Sequence, residues 1–517
     1  MKIPTIKHPS KLTFYLLLAL VLVIRLATLI EFGFQFTGSD DLTFWQGAID
    51  YSQGVFHEPF FYAQNYNFML ESFVAAPLLW LGIPVYIALP IVSTFMGVFP
   101  FVVISWALFQ RKLVFPAFVF LLLPITLPIE YDVMTSITRG FTSGLFFSGF
   151  LIFPLLNSKT SKYFWVLGLT VAVGYLFNPN SLILAFPVCL FLWIENIKNP
   201  RFYVYFILPI IPILLLKMWA ESFYDGNSDY LVHRMWKLDF SFSMLMEAFG
   251  NLDKYFKYIM PVFWKGGWMV VFAILAMGLK IWKHNWKKGL SLVLGVIFIL
   301  ALMGVNKVND GKDVIFFSST RMFLGVPFIL GLAILWWYQE FKKSQEWITL
   351  TLTLAISVFF IKISIYPMVV KAHTTETNYG QVAIKQLDVL TTECDQIEKM
   401  VRENNVDFVV FVPWGKRNVP EIEFYNYGCP SVTEVSFSSV MNIYERRTWV
   451  YLKEKTNTRK SFLLFNPNIS KLDSITQVMD CRLIQQDPNV VLLKNNSKSL
   501  EEIAEIFEIP FKRNAYY

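Results

Sequence analysis

Eleven apolar stretches of roughly 17 residues or more, the length needed to cross a bilayer, dictate what this sequence can become. They lie near 12–31, 84–109, 113–129, 141–157, 162–178, 180–196, 202–220, 267–282, 288–305, 322–338 and 346–366. In hydrocarbon only a helix satisfies its own backbone without leaving an open edge, so each stretch is expected to be helical. The fold class that follows is an all-α polytopic membrane domain of about 11 transmembrane helices. Composition agrees: of 517 residues 55% are hydrophobic, 17% aromatic and 16% charged, with a mean hydropathy of +0.47, a combination that excludes an ordinary soluble domain. The start, with Lys2, Lys7 and Lys11 ahead of an apolar run and no small-residue cleavage site, reads as a retained helix rather than a cleaved signal peptide.

Charge placement gives the orientation. The basic residues Arg111-Lys112, Lys159 and Lys162, Lys198 and Arg201, Lys283 to Lys288, and Lys342-Lys343 occupy alternate connections. With the N-terminus inside, every one of these connections is cytoplasmic, as the positive-inside rule requires. The net charge of +7 is explained by these scattered loop residues and not by a nucleic-acid surface. Residues 68–82 carry Glu71 and Pro77, and counting them as a span would invert everything downstream. They read instead as a juxtamembrane helix at the outer face. The first external loop then runs from 32 to 83 and holds Asp40, Asp41, Asp50, His57, Glu58 and Glu71. Domain 1–367 is the membrane part. Beyond it, 368–517 alternates a helix-like stretch, 378–404, with β-branched and aromatic runs at 407–412, 448–452, 462–465 and 490–493, which predicts a small soluble α/β domain on the external side.

The chemistry is expected at that outer face. No GxxxxGK[ST] or GxGxxG motif is present, so nucleotide hydrolysis and dinucleotide binding have no support. Four cysteines, Cys189, Cys394, Cys429 and Cys481, lack metal-ligand spacing, so no metal and no cofactor is expected; at most one disulfide can join the last three. An external site cannot draw on cytoplasmic nucleotide sugars, so its activated donor has to be membrane-borne. A polyprenyl-phosphate sugar fits, and its transfer needs a carboxylate to deprotonate an acceptor hydroxyl and a cation to hold the phosphate leaving group. Asp40 and Asp41, in Gly38-Ser39-Asp40-Asp41-Leu42-Thr43-Phe44-Trp45, supply the first. Arg321, in Ser318-Ser319-Thr320-Arg321-Met322-Phe323-Leu324-Gly325-Val326-Pro327, and Arg139, in Thr138-Arg139-Gly140-Phe141, supply the second. Guanidinium grips phosphate oxygens at two points.

The acidic pair after the first helix, followed by Phe61-Tyr62-Ala63-Gln64-Asn65-Tyr66-Asn67-Phe68-Met69-Leu70-Glu71, resembles the first external loop of the C-type glycosyltransferases, the group that includes protein O-mannosyltransferases and the lipid A aminoarabinose transferase. The segment from Arg321 is similar to the start of a late helix in that family. The resemblance implies Asp40 as catalytic base, Asp41 as a supporting carboxylate and Arg321 as the contact to the lipid phosphate. It also implies a further acidic residue in the second external loop, for which Glu130 and Asp132 compete. Glu58, Gln64, Tyr66 and Glu71 are candidate acceptor or donor contacts. The partners expected are a polyprenyl-phosphate sugar, a hydroxyl-bearing glycan, lipid or protein, and membrane lipids, at the periplasmic face of a bacterial inner membrane.

Each assignment has a plainer reading. The acidic pair can cap a helix starting near Leu42. Arg321 can snorkel to the interface. Arg25, within the first apolar run, can either face the site or pair with a structural carboxylate. Trp236, Trp264 and Trp268 can stack on sugar or lipid or belong to the interfacial aromatic belt. A non-enzymatic lipid or solute carrier is the rival class, although no internal repeat is visible. A ligase or polymerase using pyrophosphate-linked donors is a second rival.

Overall fold

The computed structural model describes residues 11–62, 67–227, 230, 239–309, 311, 314–341, 346–376 and 384–404; beyond these it describes only 406, 408–411, 440–441, 461–465, 482–487, 490–494, 497–499 and 501–502. All eleven apolar runs fall on helical structure. Among the described residues five helices are long and apolar enough to cross a membrane: Lys11–Gly33, Val85–Gln110, Pro200–Gly226, Ser319–Phe341 and Trp347–Thr374. The others are shorter, among them Val114–Thr126, Ser161–Phe177 and Trp268–Trp282. Proline shapes several of them. Leu208 and Pro209 separate Pro200–Ile207 from Ile210–Gly226, because proline offers no N–H to the preceding turn. The segment 70–80 forms an eleven-residue helix of about 16 Å, too short to span. The chain is a multi-pass membrane protein.

The chain divides into two compact units, neither of them contiguous in sequence. The first comprises 1–34, 90–218 and 236–375. One apolar seam of its core joins four helices, with Val98 of Val85–Gln110 among its residues. Phe14, Leu17, Val21 and Ile24, spaced three and four apart, pack with Phe118, Leu121, Leu122 and Ile125 and with Ile348, Leu352, Ala355 and Phe359. Between lipid-embedded helices such a seam is held by van der Waals fit and not by expulsion of water.

The second unit comprises 35–89, 219–235 and 376–517. Here the segment before the acidic pair is tied to the C-terminal region by a two-stranded antiparallel ladder, Phe36–Gly38 against Ile384–Gln386. The reading of 378–404 as one helix is therefore corrected: 384–386 is strand, and the helix is Leu387–Glu403. The ladder to Phe36–Gly38 takes the backbone hydrogen bonds of this segment. Five further strands form a mixed sheet in the order Val440–Met441, Phe408–Phe411, Ser461–Phe465, Val490–Lys494, Arg482–Asp487. The predicted strands at 407–412, 462–465 and 490–493 correspond to three of these; 448–452 lies outside the described residues. Cys394, buried on the helix Leu387–Glu403, is disulfide-bonded, and both other C-terminal cysteines lie outside the described residues.

Candidate active site

The acidic pair opens a helix. Ser39–Ser52 begins at Gly38 as N-cap, with Asp40 and Asp41 both in the first turn, so the helix starts three residues earlier than the sequence pattern around Leu42 indicated. Its first turn is set by a one-sided cap in which the Gly38 N–H donates to Asp41 Oδ2 at 2.6 Å. Asp41 is buried and Asp40 half-buried, so the two neighbours have different work: Asp41 fixes the helix start while Asp40 keeps solvent access. Replacing Asp41 with Ala is expected to cost about 1–2 kcal/mol, the usual value of a lost N-terminal cap, measured as a lowered unfolding midpoint in detergent.

Farther along the same helix Asp50 is a buried hub. Gln46 Nε2 donates to Asp50 Oδ1 at 2.8 Å, the Tyr62 hydroxyl donates to Oδ2, and His57 Nε2 lies 3.8 Å from Oδ2. Glu58 is 1% exposed and accepts a hydrogen bond from Tyr224 at 2.9 Å, whose ring stacks on Phe60 at 5.9 Å. Glu58 is thus a buried, bonded carboxylate and not a solvated loop charge. Burial, then the Asp50 charge, push the Tyr62 hydroxyl well above its usual range, and Tyr51 rises for the same reasons. Both stay protonated donors at any physiological pH. Tyr62→Phe is expected to cost about 1–3 kcal/mol, because it strips a buried carboxylate of a donor, measured by thermal unfolding. Glu71 is fully buried on Leu70–Trp80, a helix packed on Ser39–Ser52 so closely that the Ser72 hydroxyl donates to Phe44 O at 2.7 Å. Gln64 and Tyr66 lie outside the described residues, as does Trp236.

The two arginines belong to the first unit and meet the same short segment. Arg321 sits on the 3-10 helix Ser319–Phe323, opened by the Ser318 hydroxyl, which accepts from the Thr320 N–H at 3.2 Å. A Cβ at Gly311 would lie 2.2 Å from Ser319 N, so only glycine lets the loop run so close. The Arg321 guanidinium carbon lies 3.8 Å from the Phe317 ring centre and 5.3 Å from that of Phe141. Arg139 Nη1 donates to the Phe316 carbonyl, and the chain turns from Arg139 into the helix Phe141–Ser148 through Gly140 at φ +76°. Both arginines are buried, at 7% and 6% exposure. Aromatic faces and a carbonyl fix the orientation of the two guanidinium groups.

The competing acids of 130–132 part company. Asp132 is fully buried between two cations: Arg25 Nη1 at 3.3 Å and Lys362 Nζ at 2.5 Å. Arg25 also donates to the Thr135 hydroxyl at 2.9 Å, and Lys362 to the carbonyls of Pro124 and Leu127 at 2.9 and 2.8 Å. Arg25 therefore pairs with an interior carboxylate, and Lys362, which the sequence reading passed over, is the third member. Glu130 instead meets His373 Nε2 at 3.1 Å beside a narrow cleft lined by Phe32, Val133, Phe316 and Val370. Of the tryptophans, Trp264 donates its indole N–H to Thr126 O at 3.1 Å.

No family model and no curated protein matches the sequence. Solved structures do match. The crystal structure of ArnT from Cupriavidus metallidurans in the apo state aligns with a TM-score of 0.54 at 10% identity, covering 94% of this chain and 99% of ArnT. The fold is that of ArnT. The structure of ArnT from the same organism bound to undecaprenyl phosphate aligns with a TM-score of 0.50 at 9% identity, covering 94% of this chain and 98% of ArnT. The likeness to ArnT takes in both compact units, and at this identity it is a likeness of fold.

Proposed function

We propose that this protein is a membrane glycosyltransferase that moves a sugar from a polyprenyl-phosphate donor to a hydroxyl-bearing acceptor at the outer face of the membrane. The observation that carries this reading is the end-to-end fold likeness to ArnT, one of whose structures holds undecaprenyl phosphate. The placement of Arg139 and Arg321 on one segment, Phe316–Phe317, supports it. In this reading the eleven helical runs cross the membrane with the N-terminus inside. The site and the C-terminal domain then lie on the periplasmic side of a bacterial inner membrane.

The reaction is a single inverting displacement. The acceptor oxygen attacks the anomeric carbon, and its proton passes to the Asp40 carboxylate. The bond from that carbon to the phosphate oxygen breaks, and polyprenyl phosphate leaves with the electron pair. Arg321, with Arg139, takes up the charge that grows on the leaving phosphate. No metal is called for, because the guanidinium groups supply the positive charge.

The test is transfer in lipid nanodiscs from a defined undecaprenyl-phosphate sugar, read as released undecaprenyl phosphate. Arg321→Ala is expected to lower kcat/KM about 10²–10³-fold, the usual effect of removing one charge-stabilising donor, with Arg321→Lys intermediate because a point charge cannot make the two-point contact. Wild-type protein that releases no undecaprenyl phosphate with any acceptor pool from the membrane would count against the reading.

A further inference from the structure

The structure assigns the strand Ile384–Gln386, with the helix that follows it, as the positioning element that sets the attitude of Asp40. This rests on the transfer reading above and extends it to a part of the chain far from the acidic pair in sequence. The register pairs Phe36 with Gln386, Thr37 with Lys385 and Gly38 with Ile384, and the Leu387 N–H donates to Gln35 O at 2.8 Å. In an antiparallel ladder hydrogen-bonded pairs alternate with pairs that are not. Counting from 35/387, the pair 37/385 is bonded and 38/384 is not, so the Gly38 N–H points away from the partner strand. On that side Asp41 Oδ2 accepts it at 2.6 Å.

Gly38 is thus held from two sides, by its chain neighbour Thr37 in the bonded 37/385 pair and by the carboxylate next to Asp40. It is at the same time the last residue of the strand and the N-cap of the helix Ser39–Ser52. Asp40 is the second residue of that helix, so the ladder fixes the direction from which its backbone enters the first turn. The strap is itself braced: Lys385 pairs with Glu393 on Leu387–Glu403, which buries Leu390, Cys394 and Ile397 and is held by the Cys394 disulfide. A misplacement of about 1 Å at a reacting group is worth about 10²-fold in rate, so the loss of such a strap falls on kcat rather than on donor binding.

The experiment uses the full-length protein in nanodiscs with an undecaprenyl-phosphate sugar. Lys385→Pro removes the N–H of the bonded 37/385 pair. It is expected to lower kcat at least ten-fold while KM for the donor stays within two-fold. Phe36→Cys with Gln386→Cys faces two thiols across the register; their disulfide, verified by peptide mass spectrometry, is expected to restore kcat to within three-fold when built into the Lys385→Pro protein. The inference is overturned if folded Lys385→Pro keeps kcat within two-fold of wild type, if KM carries the loss, or if the cross-link forms and kcat does not recover. A wild-type protein without transfer would instead overturn the glycosyltransferase reading, and this inference with it.

Discussion

Asp40→Asn is expected to abolish most turnover, lowering kcat about 10²–10⁴-fold, the range a positioned general base contributes, while undecaprenyl phosphate still raises the melting temperature as it does for wild type. The amide keeps the shape and stays at a helix N-terminus, where loss of a negative charge costs only about 0.3–1 kcal/mol. Folding should therefore survive, and the loss is chemical. Asp41→Asn should behave differently: its side-chain oxygen still accepts the Gly38 N–H, so most of its activity is retained. Equal losses at 40 and 41 would mean that the pair serves the helix cap and not the acceptor proton. Transfer assays on both variants, matched for unfolding midpoint, separate the two outcomes.

Asp132→Ala is expected to destabilise the protein by about 3–5 kcal/mol, the cost of removing one partner from a buried ion pair. Asp132 is the shared carboxylate of Arg25 and Lys362, all three 3% exposed or less, and without it two buried cations lose the carboxylate they share. The triple variant Arg25→Met, Asp132→Leu, Lys362→Met should recover most of the loss, since replacing a whole buried ionic group by apolar residues of similar size is often neutral. Unfolding in detergent by urea or heat measures both. If Asp132→Ala unfolds like wild type but loses transfer, the carboxylate acts on substrate and the ionic group is not a structural strut.

How much of this was legible in the sequence follows from the range of the forces involved. The helical runs were, because hydropathy over a bilayer's thickness is a local property. So were the acidic first turn and its capping role, since Gly38 and Asp41 are three residues apart. Arg139 and Arg321 could be singled out by residue type and by their place in the sequence next to apolar runs. Their meeting at Phe316–Phe317 could not, because Arg139 reaches a carbonyl 177 positions away.

The strap was hidden for a similar reason. Phe36-Thr37-Gly38 is too short to show strand periodicity, and its partner at 384–386 is followed directly by a strong helical pattern that absorbed it. Lys362 was readable in principle: a lone lysine in the last apolar run, with Arg25 in the first, signals an interior partner, and Asp132 answers it. Asp50 gave no such signal, because Tyr62 and His57 reach it from a loop whose path no local pattern sets.

The most direct measurement is a structure of the protein with undecaprenyl phosphate bound. The phosphate is expected within about 3 Å of the Arg321 guanidinium, ordinary hydrogen-bond distance, with Arg139 beside it. A phosphate held elsewhere, out of reach of both Arg321 and Arg139, would contradict the account.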